Sequence, residues 1–391
     1  LILGLLRNTF LPTSETFIYE QLRHYQSIEV EIIARERINS DHFINSWSIN
    51  ELAAGNGSKI KNKWQRLLYT TGLTSKKKIS KIIQERNIHI LHAHFGVDAT
   101  YAVDACRSMK IPLVVTVHGY DITRLPRFKI FPLSWLHYYF KFKTLVKNAT
   151  LFLAVSNHIK QKLIAQGVPE HKIQVHHIGV DIDKFHYRQD PDSEIIDIVT
   201  VGRLTEKKGT KYLLDAFNRV FSEQRNIRLI IIGDGPLKNE LIEYARKLEC
   251  FNNVVFEGQL SHDEVQGKLQ SAHIFVLPSV TAQDGDQEGL GMVILEASAT
   301  GLPIIATRSG GIVDAVFDGE SGYLVDERDV RQLSERLKRL ANNRAERIEM
   351  GYKGRGFIEE HFDIRKQTKK LEELYKKHLQ QVDVRRKDNI D

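Results

Sequence analysis

The chain has 391 residues, enough for two or three domains of ordinary size. Hydrophobic residues make up 42% and charged residues 27%, a globular balance that excludes disordered, collagen-like and membrane-spanning classes. The net charge of +7 is unevenly shared: residues 1–190 carry 26 Lys and Arg against 15 Asp and Glu, the remainder 30 against 34, so the first half is expected to meet something anionic.

The first residues, LILGLL from Leu1, read as a strand. Leu1 is not Met, so the sequence is expected to begin a few residues inside the natural protein, and the helix-like stretch with Glu15 and Glu20 that follows argues against a signal peptide. Further strand-like runs at 30–34, 88–92, 113–117, 151–155 and 173–176 suggest an open α/β sheet. The polar stretch 187–194, with Pro191, reads as a linker. Beyond it, strands at 195–201, 227–232, 253–256, 274–277, 303–306 and 322–325 alternate with helical patterns such as 211–223, 237–247 and 330–341. That alternation is the pattern of a doubly wound parallel sheet. A charged amphipathic helix is expected from 363 to 380. The predicted architecture is α/β, with two doubly wound Rossmann-like domains, 1–186 and 187–362, facing a central cleft. A C-terminal helical segment, 363–391, is expected to pack back on the first domain. The two cysteines, Cys106 and Cys250, match neither a disulfide framework nor a zinc ribbon.

Sheets of this kind bind ligands at the carboxyl ends of their strands, so the loops after strands are the places to look for chemistry. GRLTEKKG, residues 202–209, offers Arg203 and Lys208 beside a helix N-terminus, a suitable seat for a diphosphate unless these are only solvated loop charges. GDGP supplies Gly233 and Gly235, either as a tight turn or as a backbone contact to a nucleotide. DGDQEGLGMVILEA places Glu288 in a loop and Glu296 one to two turns down a helix, with Gly289, Leu290 and Gly291 between them. That span suits a nucleotide sugar. Glu296 interrupts an apolar run and therefore needs a buried partner. VTVHGYD ends a strand on His118 and Asp121, and HAHFG sets His92 and His94 on one face of a strand, a spacing open to a metal but accompanied by no further ligand set.

Taken together, GRLTEKKG, GDGP, EGLGMVILE, the stretch 301–325 and IGVDIDKF resemble the retaining GT-B glycosyltransferases of glycosyltransferase family 4. PTSETFI and DGDQEG look like the bacterial exopolysaccharide subset, of the colanic acid and amylovoran type. The resemblance implies that Arg203 and Lys208 bind the donor diphosphate, with Gly289, Leu290 and Gly291 as backbone donors to sugar and phosphate. It implies that Glu288 sits at the transferred sugar, that Glu296 holds the ribose with Gly233 and Gly235 near the nucleotide, and that His118 stands in the cleft near the donor sugar. Many members carry a Gly-Gly loop after the first strand. Here PTSETFI replaces it, so Ser14, Glu15, Thr16 and Asp121 are the acceptor-side candidates, with helix capping as the other role for the first three.

The implied reaction moves a hexose from a UDP- or GDP-sugar to a lipid-linked saccharide or oligosaccharide, with retention and with neither metal nor cofactor. A nucleotide-sugar epimerase and a soluble-acceptor or phosphorylase-like enzyme share the architecture and remain alternatives. Asp284 and Asp286 spell D-x-D, the mark of metal-dependent transferases of another fold. The basic and aromatic segment 127–147 could lie on an anionic bilayer, which would make the protein cytoplasmic and peripheral on the inner membrane; no nucleic-acid-binding motif accompanies the charge.

Overall fold

The structure is a computed structural model that describes residues 1–10, 15–38, 47–52, 68–123 and 133–387. The chain divides into two compact units, Leu1–Gly179 with Ile364–Asp391, and Val180–Asp363.

The first unit is built on β1 (Ile2–Leu6), β2 (Thr9–Phe10), β3 (Glu29–Ala34), β4 (Glu36–Arg37), β5 (Ser48–Glu51), β6 (Ile90–His94), β7 (Leu113–Val117), β8 (Leu151–Ala154) and β9 (Ile173–Val175). Seven of these form a sheet in the order β5-β3-β1-β6-β7-β8-β9, every described pairing parallel. β2 and β4 make a separate two-stranded parallel pair. The central strands are buried along nearly their whole length, as expected of a parallel sheet with helices on both faces. β6 lies two residues later than the sequence suggests. Ile88 is buried instead in the turn before the strand, against Gly4, while the buried His92 and His94 complete it.

The second unit contains β10 (Ile196–Val201), β11 (Ile227–Ile232), β12 (Val254–Gly258), β13 (Ile274–Leu277), β14 (Ile304–Thr307) and β15 (Gly322–Val325), all parallel, in the order β12-β11-β10-β13-β14-β15. Two helices, Thr210–Phe221 and Val330–Asn342, turn Leu213, Phe217 and Leu337 into a core with Ile198 and Ile231, all fully buried. Each such side chain contributes about 1.5–3 kcal/mol by leaving water.

The stretch 187–194, expected as a linker, is bound to the second unit. Arg347, itself buried, holds Asp190 at 2.9 Å, and the Arg188 amide donates to the Thr300 carbonyl at 3.0 Å. The division falls earlier: in the first unit Gly179 abuts Ile364, and in the second Val180 bridges Asp363. The final helix, Ile364–Lys387, belongs to the first unit, where Leu371 and Tyr375 are buried and Glu372 accepts hydrogen bonds from the amides of Gln26 and Ser27 at 2.7 and 3.0 Å.

Within 127–147, residues 127–132 lie outside the described residues. The helix Leu133–Asn148 divides its large apolar side chains: Tyr138 and Phe142 are buried, whereas Leu136, Tyr139 and Phe140 are exposed. Among the described residues, no helix is long and apolar enough to cross a membrane.

Candidate active site

Numbered within the second unit, its strand order is 3-2-1-4-5-6, which reverses between β10 and β13. The loops leaving those two strands, 202–209 and 278–291, therefore flank the crevice where a doubly wound sheet takes its ligand. They are stitched together. The Val280 amide donates to the Lys207 carbonyl at 2.7 Å, and the Lys207 ammonium pairs with Asp286 at 3.3 Å. Gly209, at φ +63°, permits the approach, because a Cβ there would stand 1.9 Å from the Pro278 carbonyl oxygen.

At the centre of this join, the Lys208 ammonium meets the Glu288 carboxylate at 2.9 Å, with Ser279 Oγ donating to the same oxygen at 3.5 Å. Glu288 is 7% exposed. Burial would raise its carboxyl, but the charges of Lys208 and Lys207 and the bonds from Lys208 and Ser279 outweigh that and hold it below the ordinary carboxylate range. An ammonium has three N–H donors, so one bond to Glu288 leaves two for another anion. The Glu288 carbonyl accepts from the Gly311 amide at 2.9 Å, which fixes the loop from behind. Three residues later the helix Met292–Thr300 opens at Gly291, and no side chain caps its first turn. Its free amides add partial positive charge beside that of Lys208, and Arg203 is an exposed cation on the facing loop.

Glu296 has the partner its position demands. This is neither Arg nor Lys but His262, whose Nε2 lies 3.3 Å away. His262 opens a helix, His262–Ser271, that Ser261 and Glu264 cap reciprocally, and its ring packs edge-on against that of Phe185 with centres 5.3 Å apart. Gly233 and Gly235 have a structural task. A Cβ on the first would stand 2.0 Å from the Gly202 carbonyl oxygen, and one on the second 2.4 Å from that of Leu204. They let the turn after β11 lie directly on the Gly202–Leu204 loop. Asp284 and Asp286 do not converge on a common point: Asp284 Oδ1 accepts from the Asp286 amide at 3.0 Å, and the Asp286 side chain faces Lys207. Among the described residues, no group of three His, Cys, Asp or Glu side chains is placed to hold a metal.

The first unit reverses strand order between β1 and β6, and there the structure assembles residues that sequence reasoning did not single out. Arg7, directly after β1, holds Glu15 through both carboxylate oxygens at 2.7 Å and reaches Asp98 at 2.5 Å. Asn8 binds Asp98 through its backbone and side-chain nitrogens, each at 2.8 Å, and Tyr69 donates to Asn8 at 2.8 Å. Burial would lower Arg7, but Asp98 and Glu15 outweigh that and hold it above its ordinary value. Its guanidinium lies 4.4 Å from the ring centre of Phe95, a non-glycine residue at φ +74°. The rule that sheets act where their order reverses would have drawn attention to Arg7 and Asn8 without any motif.

Glu15 precedes the helix Thr16–Arg23, yet its side chain makes no cap; it is spent on Arg7. Thr16 is the helix's first residue, and Ser14 lies outside the described residues. His118 stands at the end of β7 between the rings of Phe17 and Phe95, at 5.0 and 4.4 Å, and its Nε2 is 3.0 Å from Nδ1 of His94. Asp121 is fully buried and ties this corner together, accepting from the amides of Gly96, Gly119 and His118 at 2.8, 3.0 and 3.2 Å. Burial pushes its carboxyl up to about 6 against those bonds. Asp121 thus shapes the loop that carries His118. His92 and His94 each hydrogen-bond to other side chains of this unit, and burial holds both well below the ordinary histidine value.

Residues 14–184 match the family described as Glycosyltransferase Family 4, and residues 181–357 that described as Glycosyl transferases group 1. A putative colanic acid biosynthesis glycosyltransferase of Escherichia coli is 29% identical over 363 residues, 84% of this chain and 87% of that protein. An amylovoran biosynthesis glycosyltransferase of Erwinia amylovora is 30% identical over 292 residues, 73% of this chain and 69% of its own length. Among solved structures, Anabaena HepE in complex with UDP aligns with a TM-score of 0.76 at 17% identity, covering 96% of this chain and 99% of its own, a likeness of fold. With both halves matched in order and the chain folded into two parallel Rossmann-like units, the chain belongs to glycosyltransferase family 4 and has the GT-B fold.

Proposed function

We propose that the protein is a retaining glycosyltransferase that moves a hexose from a UDP- or GDP-sugar to a lipid-linked saccharide or oligosaccharide in bacterial surface polysaccharide synthesis. The observation that carries this reading is the buried Lys208–Glu288 pair at the switch point of the second unit, beside the uncapped helix opening at Gly291. The relatives named for colanic acid and amylovoran synthesis support the pathway class, and the UDP held by the Anabaena protein supports a nucleotide donor.

In the proposed reaction the bond between the anomeric carbon and the diphosphate oxygen breaks, and the acceptor hydroxyl oxygen bonds that carbon on the face the diphosphate leaves. The acceptor's proton passes to the departing phosphate oxygen. Negative charge grows on the diphosphate, so the largest electrostatic task is to stabilise it. Lys208, Arg203 and the amides at Gly289 to Gly291 would do so without a divalent ion. Glu288 would orient the sugar hydroxyls and face the positive charge at the anomeric carbon. Glu296, pre-positioned by His262, would hold the ribose, with Gly233 and Gly235 bringing the neighbouring turn close to the nucleotide. In the first unit His118 is the candidate toward the donor sugar and Thr16 toward the acceptor side, while Glu15 is tied to Arg7 and Asp121 shapes the loop that carries His118.

A lipid-linked acceptor calls for access to a membrane surface. The exposed Leu136, Tyr139 and Phe140, on a helix that also carries Lys143 and Lys147, fit peripheral attachment to an anionic bilayer on its cytoplasmic face.

Thermal-shift measurements across UDP- and GDP-sugars should single out one donor. That donor should then be consumed with a lipid-linked oligosaccharide acceptor, equally well in chelator, and should give a product of unchanged anomeric configuration. Dependence on a divalent ion, or inversion, would refute the corresponding part of the mechanism. Glu296→Ala should raise the donor KM about tenfold while leaving kcat within about twofold, because a ribose contact is made equally in ground and transition states. A loss confined to kcat in steady-state assays would remove the ribose role.

A further inference from the structure

Beneath His118, within the first unit, lies a chain of buried polar groups that the reaction as described does not use. Gln21 Nε2 donates to the Tyr25 hydroxyl at 2.8 Å, Tyr25 and Tyr375 share a hydrogen bond at 3.1 Å, and the Tyr375 hydroxyl is 2.6 Å from His92 Nδ1. His92 Nε2 is in turn 2.7 Å from Thr116 Oγ1. The His92 ring packs on that of His94 with centres 4.5 Å apart, and His94 Nδ1 reaches His118 Nε2 at 3.0 Å.

The direction of this chain follows from donor counting. Gln21 donates from its nitrogen to the Tyr25 oxygen, and the arrangement that gives each hydroxyl proton of the chain an acceptor has Tyr25 donating to Tyr375. Tyr375 then donates to His92 Nδ1, and His92, neutral in its buried setting, carries its proton on Nε2 and gives it to Thr116. Four groups, Gln21, Tyr25, Tyr375 and Thr116, thus fix one tautomer and one orientation of His92. Tyr375 is fully buried and comes from the C-terminal helix, some 280 residues away in sequence. Beyond His92 the outer nitrogens, His94 Nε2 and His118 Nδ1, are buried and have no hydrogen-bond partner among the described residues. His94 and His118 form a neutral pair, so whichever of them donates across the 3.0 Å bond, the pair's two outer nitrogens comprise one donor and one acceptor. Such a pair acts only if its ring positions are held.

We propose that Tyr375, through the fixed ring of His92 and the His94 ring packed against it, is a positioning residue that sets the orientation of His118. This deepens the reading of His118 as a donor-sugar residue and rests on it. It gives the C-terminal helix a role in the chemistry beyond closing the fold.

Two measurements on the full chain separate this proposal from the functional reading beneath it. Imidazole nitrogen NMR should show His92 as the Nε2–H tautomer in the native protein. Tyr375→Phe should alter the signals of His92, His94 and His118 together. Thr116→Val, an isosteric change at the other end of the His92 ring, should move the same three signals and keeps the test open should Tyr375→Phe fold poorly. Unmoved His94 and His118 signals in a folded variant would overturn the proposal, whatever the substrate proves to be. In turnover assays Tyr375→Phe should lower kcat about tenfold with donor KM unchanged, and this loss should vanish in a His118→Ala background. An equal loss in both backgrounds would show that Tyr375 acts on stability or folding and not through His118.

Discussion

Glu288→Gln should slow turnover by about 10²–10³-fold while donor KM moves no more than about threefold, the signature of a contact made chiefly in the transition state. Glutamine keeps the volume and one acceptor oxygen, so the loop that Gly311 braces through the Glu288 carbonyl should stay in place. What disappears is the negative charge that Lys208 and Lys207 hold ionised against burial. A carboxylate kept charged in so dry a position is set to face positive charge, and the anomeric carbon develops it. The same charge has a stability signature. Because the folded carboxyl sits below its ordinary 4.5, the stability it contributes is present above that pH and is lost as pH falls through the lower folded value. The glutamine variant should lack this acid-side loss when urea midpoints are compared between about pH 3 and 7. If the variant kept native kcat while losing only the pH-dependent stability, Glu288 would be a counterion for Lys208 and nothing more.

The second unit was almost fully readable before its structure was known, and the reason is physical. Its strands are runs such as IRLIII, buried on both faces and bounded by Gly-rich turns, so strand and loop differ sharply in composition. Its candidate donor-site residues also lie on short segments of sequence, 202–209 and 284–297, which reveal themselves locally. The first unit hid more. β5, the polar edge strand SINE, shows neither alternation nor an apolar run and exists because β3 pairs with it. Arg7 with Asp98, and Tyr375 with His92, are joined across 91 and 283 residues, a juxtaposition that no local spacing encodes. The linker reading of 187–194 failed for a similar reason: its proline and acidic residues look solvent-seeking until Arg347, on a distant helix, draws Asp190 into a buried pair. Glu296 was the instructive intermediate. Its need for a partner followed from its apolar neighbours, while the partner's identity, His262, needed the fold.

Lys208→Met should be at least as damaging, lowering kcat/KM by about 10³-fold, because in the proposed reaction one ammonium would serve two anions. It is the charge opposite Glu288, and it is the cation best placed to receive a diphosphate beside the helix opening at Gly291. Methionine replaces the stem without the charge. UDP alone, which lacks the sugar that Glu288 would touch, should then bind about 10- to 100-fold more weakly by calorimetry, the worth of a lost charge-assisted bond. Burial, the largest influence on Glu288, would also act with less opposition, so its carboxyl should rise and the acid limb of the kcat/KM profile should move to higher pH. Lys208→Arg should recover only part of the activity. The Lys208 stem runs so close over Gly202 that a Cβ there would lie 2.9 Å from its Cε, and this narrow course suits a slim chain ending in a point charge better than a planar fork. Arg203 supplies the control, since it is exposed and is not among the charges that hold Glu288 ionised. Arg203→Met should weaken UDP without shifting the acid limb. Should Lys208→Met bind UDP at native strength while Arg203→Met loses it, the diphosphate is held by the outer cation alone, and the buried pair serves only to lock two loops together.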